Sequence, residues 1–329
     1  MFRLFHFLTA FCLIFAFTPA TLQAASYALL VGVSDYEDGS GASDLRGPAN
    51  DVRLLRDVLD ARGDFEITIL ADGVTGAARP TRAAILSALD DLAETAASGD
   101  LIYLHFSGHG TQQADQNGDE SDGLDEVFLP ADTARAEAGS QTIPNAIVDE
   151  EFGARIAAMR AKGADVWFVL DACHSGSGLR AGSPRVATRF VDPAALGITV
   201  TPKPQPVTIA AVEAVGGDDL PGGYLAFYSA QSSEVAREIQ VDETAPDSWY
   251  GLFTSRLAAR LQSEAALSYR QLFQAVLADL NDEAVPGDAR LQTPLWEGTL
   301  IDAPVFGGGD VVGIRQFAVE SNRIKAGKL

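Results

Sequence analysis

Short apolar runs alternate along the chain with stretches whose apolar residues recur at helical spacing. Tyr27–Val33, Phe65–Leu70, Asp100–Ser107, Ala164–Asp171 and Tyr224–Ser229 are rich in aliphatic and aromatic side chains and read as strands. Between them, Ala49–Ala61 carries Val52, Leu55, Val58 and Leu59 on one helical face, and Asp149–Met159 follows the same period. Thr81 is placed to cap a helix running to Thr95, because its side-chain oxygen can accept from a free first-turn amide. Trp249–Leu261 and Leu267–Leu280 read as two later helices. This alternation predicts an α/β fold with a doubly wound, mainly parallel sheet flanked by helices, and an active site at the strands' carboxyl ends. Between residues 180 and 223 the pattern dissolves into Pro, Gly, Thr and scattered aliphatics, which predicts a variable loop or linker inside the domain. Residues 301–329 form a C-terminal tail whose sequence predicts no element.

The amino terminus has a different character. Arg3 precedes an apolar run from Phe7 to Phe17 and then small residues up to Ala24, the layout of a signal peptide covering residues 1–24. The run is shorter than the roughly 20 residues that cross a bilayer. The expectation is therefore an exported protein, periplasmic or secreted, with no stable membrane anchor and one domain over residues 25–300. Cys12 would leave with the leader, so Cys173 becomes the single thiol and no internal disulfide can form. A length of 329 residues with 47% hydrophobic content suits one large core. The net charge of -21, with no basic stripe, excludes nucleic acid as a partner and favours basic protein or peptide substrates. No glycine-rich phosphate loop follows the first strand.

The candidate chemistry sits at two strand ends. Asp100–Ser107 runs into Gly108-His109-Gly110, and Ala164–Asp171 runs into Ala172-Cys173 and a small-residue turn. A thiol is mostly protonated near neutral pH, and an adjacent imidazole lowers its pKa or takes its proton as attack begins. His109 and Cys173 at one rim of a sheet are thus a minimal acyl-transfer pair. Free amides beside Cys173 could hold the developing oxyanion.

The segments His105-Phe-Ser-Gly-His-Gly110 and Asp171-Ala-Cys-His-Ser-Gly176 resemble the two catalytic blocks of the caspase-like cysteine peptidases, in the form found in metacaspases and their bacterial relatives. The resemblance extends to Tyr27–Val33, Leu45-Arg-Gly-Pro-Ala-Asn-Asp51, Tyr228-Ser-Ala-Gln-Ser-Ser233, Gly251-Leu-Phe-Thr254 and the closing Gln292–Trp296, in family order. It implies the caspase-haemoglobinase-like fold and a peptidase with His109 and Cys173 as catalytic dyad. It also implies that Asp51 and Asp171 bind a basic substrate side chain, with Ser107 as polar neighbour and Ser229 in the wall beside the substrate. A buried carboxylate pair selects Arg or Lys, because any other side chain leaves it desolvated and unpaired. Leu45 stands where caspases that cut after aspartate carry an arginine, which disfavours that specificity; Arg46 is expected to face away. Family members often process themselves in the linker, where Arg180, Arg185, Arg189 and Lys203 offer candidate sites.

The dense acidic stretch Asp115–Glu126 lacks the glycine of an EF-hand loop, since Glu120 occupies that position. The resemblance suggests instead a calcium arrangement with Asp125, Asp149 and Glu150, from which Arg180 removes a fourth carboxylate. Calcium is a candidate activator on this resemblance, a solvated acidic loop is the alternative, and no cofactor is needed for the chemistry. His174, directly after Cys173, is expected to point away from the thiol, and His105 to be a satisfied core group. Two rival readings are a zinc hydrolase using His105, His109 and Cys173, which lacks a catalytic H-E-x-x-H pattern, and a non-catalytic binding module on the same scaffold.

Overall fold

Strand β1 (Ser26–Gly32) lies between two parallel neighbours, which is why its Ala28-Leu29-Leu30-Val31 run is apolar on both faces. The computed structural model describes residues 24–118, 120, 122–173, 184–201, 219–231, 234–263, 266–281 and 292–308. The leader up to residue 23, His174, Arg180, Lys203, Ser232, Ser233 and the tail from residue 309 lie outside the described residues.

After β1 come α1 (Pro48–Arg62), β2 (Phe65–Ala71), α2 (Arg82–Thr95) and β3 (Leu101–Ser107). A small antiparallel sheet follows, made of β4 (Gly110–Ala114), β5 (Leu124–Phe128) and β6 (Ile147–Val148). Then come α3 (Asp149–Ala161), β7 (Asp165–Asp171), β8 (Val186–Thr188), β9 (Tyr224–Tyr228), β10 (Arg237–Gln240), β11 (Trp249–Gly251), α4 (Leu252–Leu261), α5 (Tyr269–Leu280) and β12 (Leu295–Gly298). The central sheet has the order β12-β9-β7-β3-β1-β2, parallel except for β12. Its strands alternate between two cores. Leu29, Val31, Leu104, Phe106 and Phe168 pack with Ile85, Leu89, Phe152 and Ile156 of α2 and α3. Leu30, Tyr103, Trp167 and Val169 pack with Val52, Leu55 and Leu59 of α1 and with residues of α4 and α5. The doubly wound, mainly parallel sheet expected from the sequence is the one observed.

Thr81 caps α2 as expected, its Oγ1 accepting from the Ala84 amide at 3.2 Å. Thr81→Ala should cost ~1 kcal/mol of unfolding free energy in urea titrations.

Three expectations need correction. The helix read over Trp249–Leu261 begins at Leu252, because Trp249–Gly251 pairs with β10 as a strand. The 180–223 segment is not structureless throughout: Val186–Thr188 pairs antiparallel with β10 as β8. Lastly, the chain from Ile301 does carry structure, since Ile301 and Phe306 are buried and the Phe306 ring lies 5.1 Å from Phe65 and 5.2 Å from Trp167. An aromatic closing a core from an irregular turn leaves no periodicity to read. Among the described residues no helix is long and apolar enough to cross a membrane.

Candidate active site

Strands β3 and β7 pair in parallel with Ser107 opposite Asp171, so His109 and Cys173 each lie two residues past matched strand ends. Gly110 accommodates this approach: a Cβ there would collide with the Cys173 carbonyl. The His109 amide donates to the Tyr36 hydroxyl at 2.8 Å, and its Nε2 lies 2.9 Å from the Ser43 carbonyl oxygen. A carbonyl only accepts, so Nε2 carries the hydrogen and Nδ1 the lone pair. Among the described residues Nδ1, which is buried, has no hydrogen-bond partner. Burial lowers the His109 pKa to about 4, against the opposing pull of the Ser43 carbonyl, so the ring is a neutral base. Cys173 is 2% exposed; its thiol accepts from the Ala236 amide and donates to the Ala236 carbonyl at 3.4 Å. Burial pushes the thiol pKa up. Among the described residues no hydrogen bond joins the thiol to His109.

Asp51, Ser107 and Asp171 come together in one buried cluster, and its centre is occupied by Arg189. The guanidinium of Arg189 is fully buried, with Nη2 2.6 Å from Asp51 Oδ2 and Nη1 3.0 Å from Asp171 Oδ2. Nη1 also donates to Ser107 Oγ at 2.8 Å, and Ser107 Oγ donates in turn to Asp51 Oδ2 at 2.6 Å. A third carboxylate, Glu238, lies 3.9 Å from Nη2 and accepts from the Arg46 and Gly47 amides at 3.1 and 2.9 Å. Asp51 also accepts from the Gly251 amide at 2.8 Å. Burial, reinforced by the like charge of Asp171, pushes the Asp51 pKa up to about 6 against the pull of Arg189. Three carboxylates around one guanidinium leave the cluster short of positive charge. Gly47 and Gly251 form its walls, since a Cβ on either would press into the Arg189 guanidinium and a pocket carboxylate.

Asp51 also lies in the first turn of α1, so its pocket placement and its helix-terminal placement coincide. Asp171 has a second duty, accepting from Thr254 Oγ1 at 2.6 Å and from the Thr254 amide at 3.2 Å at the start of α4. Because the Thr254 hydroxyl hydrogen is committed there, His105 Nε2, 3.3 Å away, donates to Thr254, and His105 Nδ1 accepts from the Tyr103 hydroxyl at 3.2 Å. His105 is the satisfied core group expected. Arg46 does face away, its guanidinium 4.8 Å over the Trp249 ring, while Leu45 is buried in the core. Ser229 sits at the end of β9: its amide donates to Leu170 O at 3.0 Å, its carbonyl accepts from Gln292 Nε2 at 2.9 Å, and its buried Oγ has no partner among the described residues. None of its hydrogen bonds reaches the Arg189 cluster.

Of the expected calcium ligands, Glu150 acts on both Asp149 and Asp125, raising each. Asp125 Oδ2 accepts from Gln113 at 3.2 Å and Glu150 Oε1 from Asn117 at 2.7 Å, while among the described residues the buried Asp125 Oδ1, Asp149 Oδ1 and Glu150 Oε2 have no hydrogen-bond partner. Among the described residues no three carboxylate, imidazole or thiol side chains gather as a metal site. Burial and the charges of Glu150 and Glu126 push Asp149 up to about 8. A carboxyl raised in the fold above its ordinary value near 3.8 costs stability increasingly as pH climbs from there to about 8. Asp149→Asn should therefore be more stable than the natural chain, with a margin that widens from pH 5 to pH 9 in thermal melts.

Sequence reasoning missed Glu238, Gly47, Gly251 and the Ser43 carbonyl. Gly47 and Gly251 carried a signal, since each lies in a recognised block.

A caspase-domain family profile matches residues 25–304. The chain belongs to the caspase-domain peptidase family. It is 34% identical over 163 residues to Metacaspase-2 of Arabidopsis thaliana, covering 48% of this chain and 36% of that protein. It is 32% identical over 163 residues to Metacaspase-1 of Mycosarcoma maydis, covering 49% and 38%. The aligned part thus spans less than half the length of these relatives. A crystal structure of a Geobacter sulfurreducens protein superposes with a TM-score of 0.57 at 22% identity, covering 83% of this chain and 93% of that one, and shares the fold.

Proposed function

We propose that the chain is an exported cysteine endopeptidase that cuts proteins after Arg or Lys, with Cys173 as nucleophile and His109 as proton carrier. The observation that carries this reading is the buried guanidinium of Arg189 held by Asp51, Asp171 and Ser107 beside the two strand-end residues. A site that buries one arginine side chain among carboxylates has the chemistry to bind another.

Burial raises the thiol pKa and lowers the imidazole pKa, so both favour a neutral pair before reaction. Proton transfer to His109 Nδ1 then accompanies attack by sulfur on the substrate carbonyl. The Ser43 carbonyl holds the opposite ring nitrogen and stabilises the imidazolium that forms. The amides of Gly110 and Cys173, both of which donate to the Arg189 carbonyl in this structure, receive the oxyanion in this reading, and His109 returns the proton to the leaving amine. Water completes hydrolysis, so the reaction balances without a cofactor. Calcium acts as an activator in this reading, on the acidic region around Asp125, Asp149 and Glu150. His105, committed to Tyr103 and Thr254, weighs against the zinc rival. The placement of a lone-pair nitrogen at His109 weighs against a purely binding role.

The test is hydrolysis of matched fluorogenic peptides ending in Arg, Lys or Asp, with calcium varied and Cys173→Ala as control. Turnover of Arg and Lys peptides that vanishes in the control is expected. Cleavage after Asp would overturn the pocket assignment, and turnover that survives Cys173→Ala would overturn the peptidase reading itself.

A further inference from the structure

Helix α3 and strands β7 and β9 enclose a cavity to which no residue of the Arg189 cluster contributes. Asp149, Phe152, Gly153 and Ile156 fall on one face of α3, three or four residues apart, and all four line it. Phe168 and Leu170 of β7 and Tyr224 and Tyr228 of β9 form the sheet side, and β5 contributes Glu126 and Phe128. The empty space amounts to about 410 Å³, its open mouth included. Its carboxyls are Glu126 and Asp149, and among the described residues no lysine, arginine or histidine lines it. A third carboxyl, Glu297 of β12, stands behind the tyrosines and accepts from the Tyr228 hydroxyl at 2.8 Å and the Tyr224 hydroxyl at 3.3 Å. Glu126 lies close enough to act on both Asp149 and Glu297. The Arg160 guanidinium, 5.7 Å over the Tyr224 ring, has its Nε donating to the Gly222 carbonyl at 3.0 Å and is committed to the chain entering β9. Gly153 is the residue that packing does not explain. It sits inside α3, where glycine is the least favoured residue after proline, and its backbone is outside the left-handed region that would call for one. A Cβ built on it would meet nothing within 4 Å. Neither conformation nor crowding requires glycine there; its missing side chain leaves room on the helix face between Asp149 and Ile156.

We propose that this cavity binds a small organic ammonium ion, an alkyl or aryl amine whose protonated head pairs with Glu126 and Asp149 while its apolar body lies along Gly153 between Phe152 and Ile156. Each part of the ligand answers a part of the wall. Aromatic rings attract a cation through their negative faces and gain further from burying its hydrocarbon. Asp149 Oδ1, buried and without a hydrogen-bond partner among the described residues, lacks the donor that an ammonium N–H supplies. A hydrated metal ion would press its waters against hydrocarbon, and a neutral apolar molecule would leave the carboxyls unpaired. An amine with an apolar body meets both demands. Ile156 lies two turns beyond Asp149, ~10 Å along the helix axis, which accommodates a phenyl ring and two methylenes. The net charge of -21 raises the local concentration of any cation near the mouth. Neither Cys173 nor His109 lines the cavity, so the site is separate from the proposed peptidase pair.

The experiment is calorimetric titration of the full chain with phenethylammonium chloride, with phenethyl alcohol as the neutral counterpart and Gly153→Leu, Glu126→Gln and Asp91→Asn as variants. Asp91, an exposed carboxyl on α2, controls for the loss of one negative charge away from the cavity. Saturable binding of one equivalent of the amine is expected in the natural chain and in Asp91→Asn. The alcohol should bind at least ~10-fold more weakly, as should the amine to Glu126→Gln, and binding should be lost in Gly153→Leu, whose side chain takes the ligand's place. Thermal melts of Gly153→Ala without ligand add a readout independent of binding: the variant should melt above the natural chain, since alanine enters the helix without a clash. A lower melting temperature would show that the fold needs the glycine and would overturn the inference. Equal affinity for amine and alcohol, undiminished binding in Gly153→Leu, or the same loss in Asp91→Asn as in Glu126→Gln would each overturn it too, the last by revealing unspecific attraction to an acidic surface. Absence of binding by the natural chain overturns it outright. Peptide turnover enters none of these readouts, so the peptidase reading stands or falls separately.

Discussion

His109→Ala is expected to lower kcat/KM for arginine peptides by ~10²–10⁴-fold, with a residual rate that climbs steadily with pH. The magnitude is that of a positioned general base. The pH dependence follows from the thiol's surroundings, because burial holds Cys173 protonated and without Nδ1 only solvent base can remove its proton. In the natural protein the imidazole is already neutral well below neutrality, its pKa being lowered to about 4. The natural rate should therefore vary little through the neutral range while the variant's keeps rising. A variant rate that is flat over the same interval would show that His109 does not take the thiol proton.

Replacing Asp51 separates binding of a basic side chain from the integrity of the fold. Its carboxylate receives the Gly251 amide, the Ser107 hydroxyl and the Arg189 guanidinium, all buried. Asp51→Ala leaves those donors without an acceptor and should destabilise the intact chain by ~3 kcal/mol in equilibrium unfolding. Asp51→Asn keeps an acceptor oxygen and removes the charge. Because burial already opposes ionisation of this carboxyl, the amide costs the fold much less than alanine does. Its effect should appear in selectivity. The ratio of kcat/KM for an arginine peptide over its citrulline counterpart, an uncharged near-isostere, should fall by ~10²-fold in Asp51→Asn. An unchanged ratio would remove Asp51 from substrate recognition.

The central elements were legible in the sequence because buried parallel strands leave long apolar runs, and β1, β3 and β7 each appeared within a residue of their observed bounds. Asp51, Ser107 and Asp171 were brought together by family resemblance alone; no spacing in the chain unites a helix turn with two strand ends. Glu238 escaped notice because nothing in Arg237-Glu238-Ile239-Gln240 marks its charge as buried; two main-chain amides and a guanidinium make that burial tolerable. Arg189 was visible as one basic residue among several in an irregular stretch. Nothing local indicates that its side chain turns inward, since its partners come from α1, β3, β7 and β10. The acidic loop illustrates the converse: Glu150 and Glu126 are close enough to raise Asp149, while Asp125 takes its hydrogen bond from Gln113 and Glu150 one from Asn117.

Strand β9 lies between β7 and β12, and the segment that carries Arg189 joins β7 to β9. A chain opened anywhere in that segment would thus leave two polypeptides sharing one hydrogen-bonded sheet, with the division running between adjacent parallel strands. Such a molecule unfolds as a heterodimer dissociates. Its melting temperature would depend on protein concentration, and reassembly after denaturation would become a second-order encounter where the continuous chain refolds in first order.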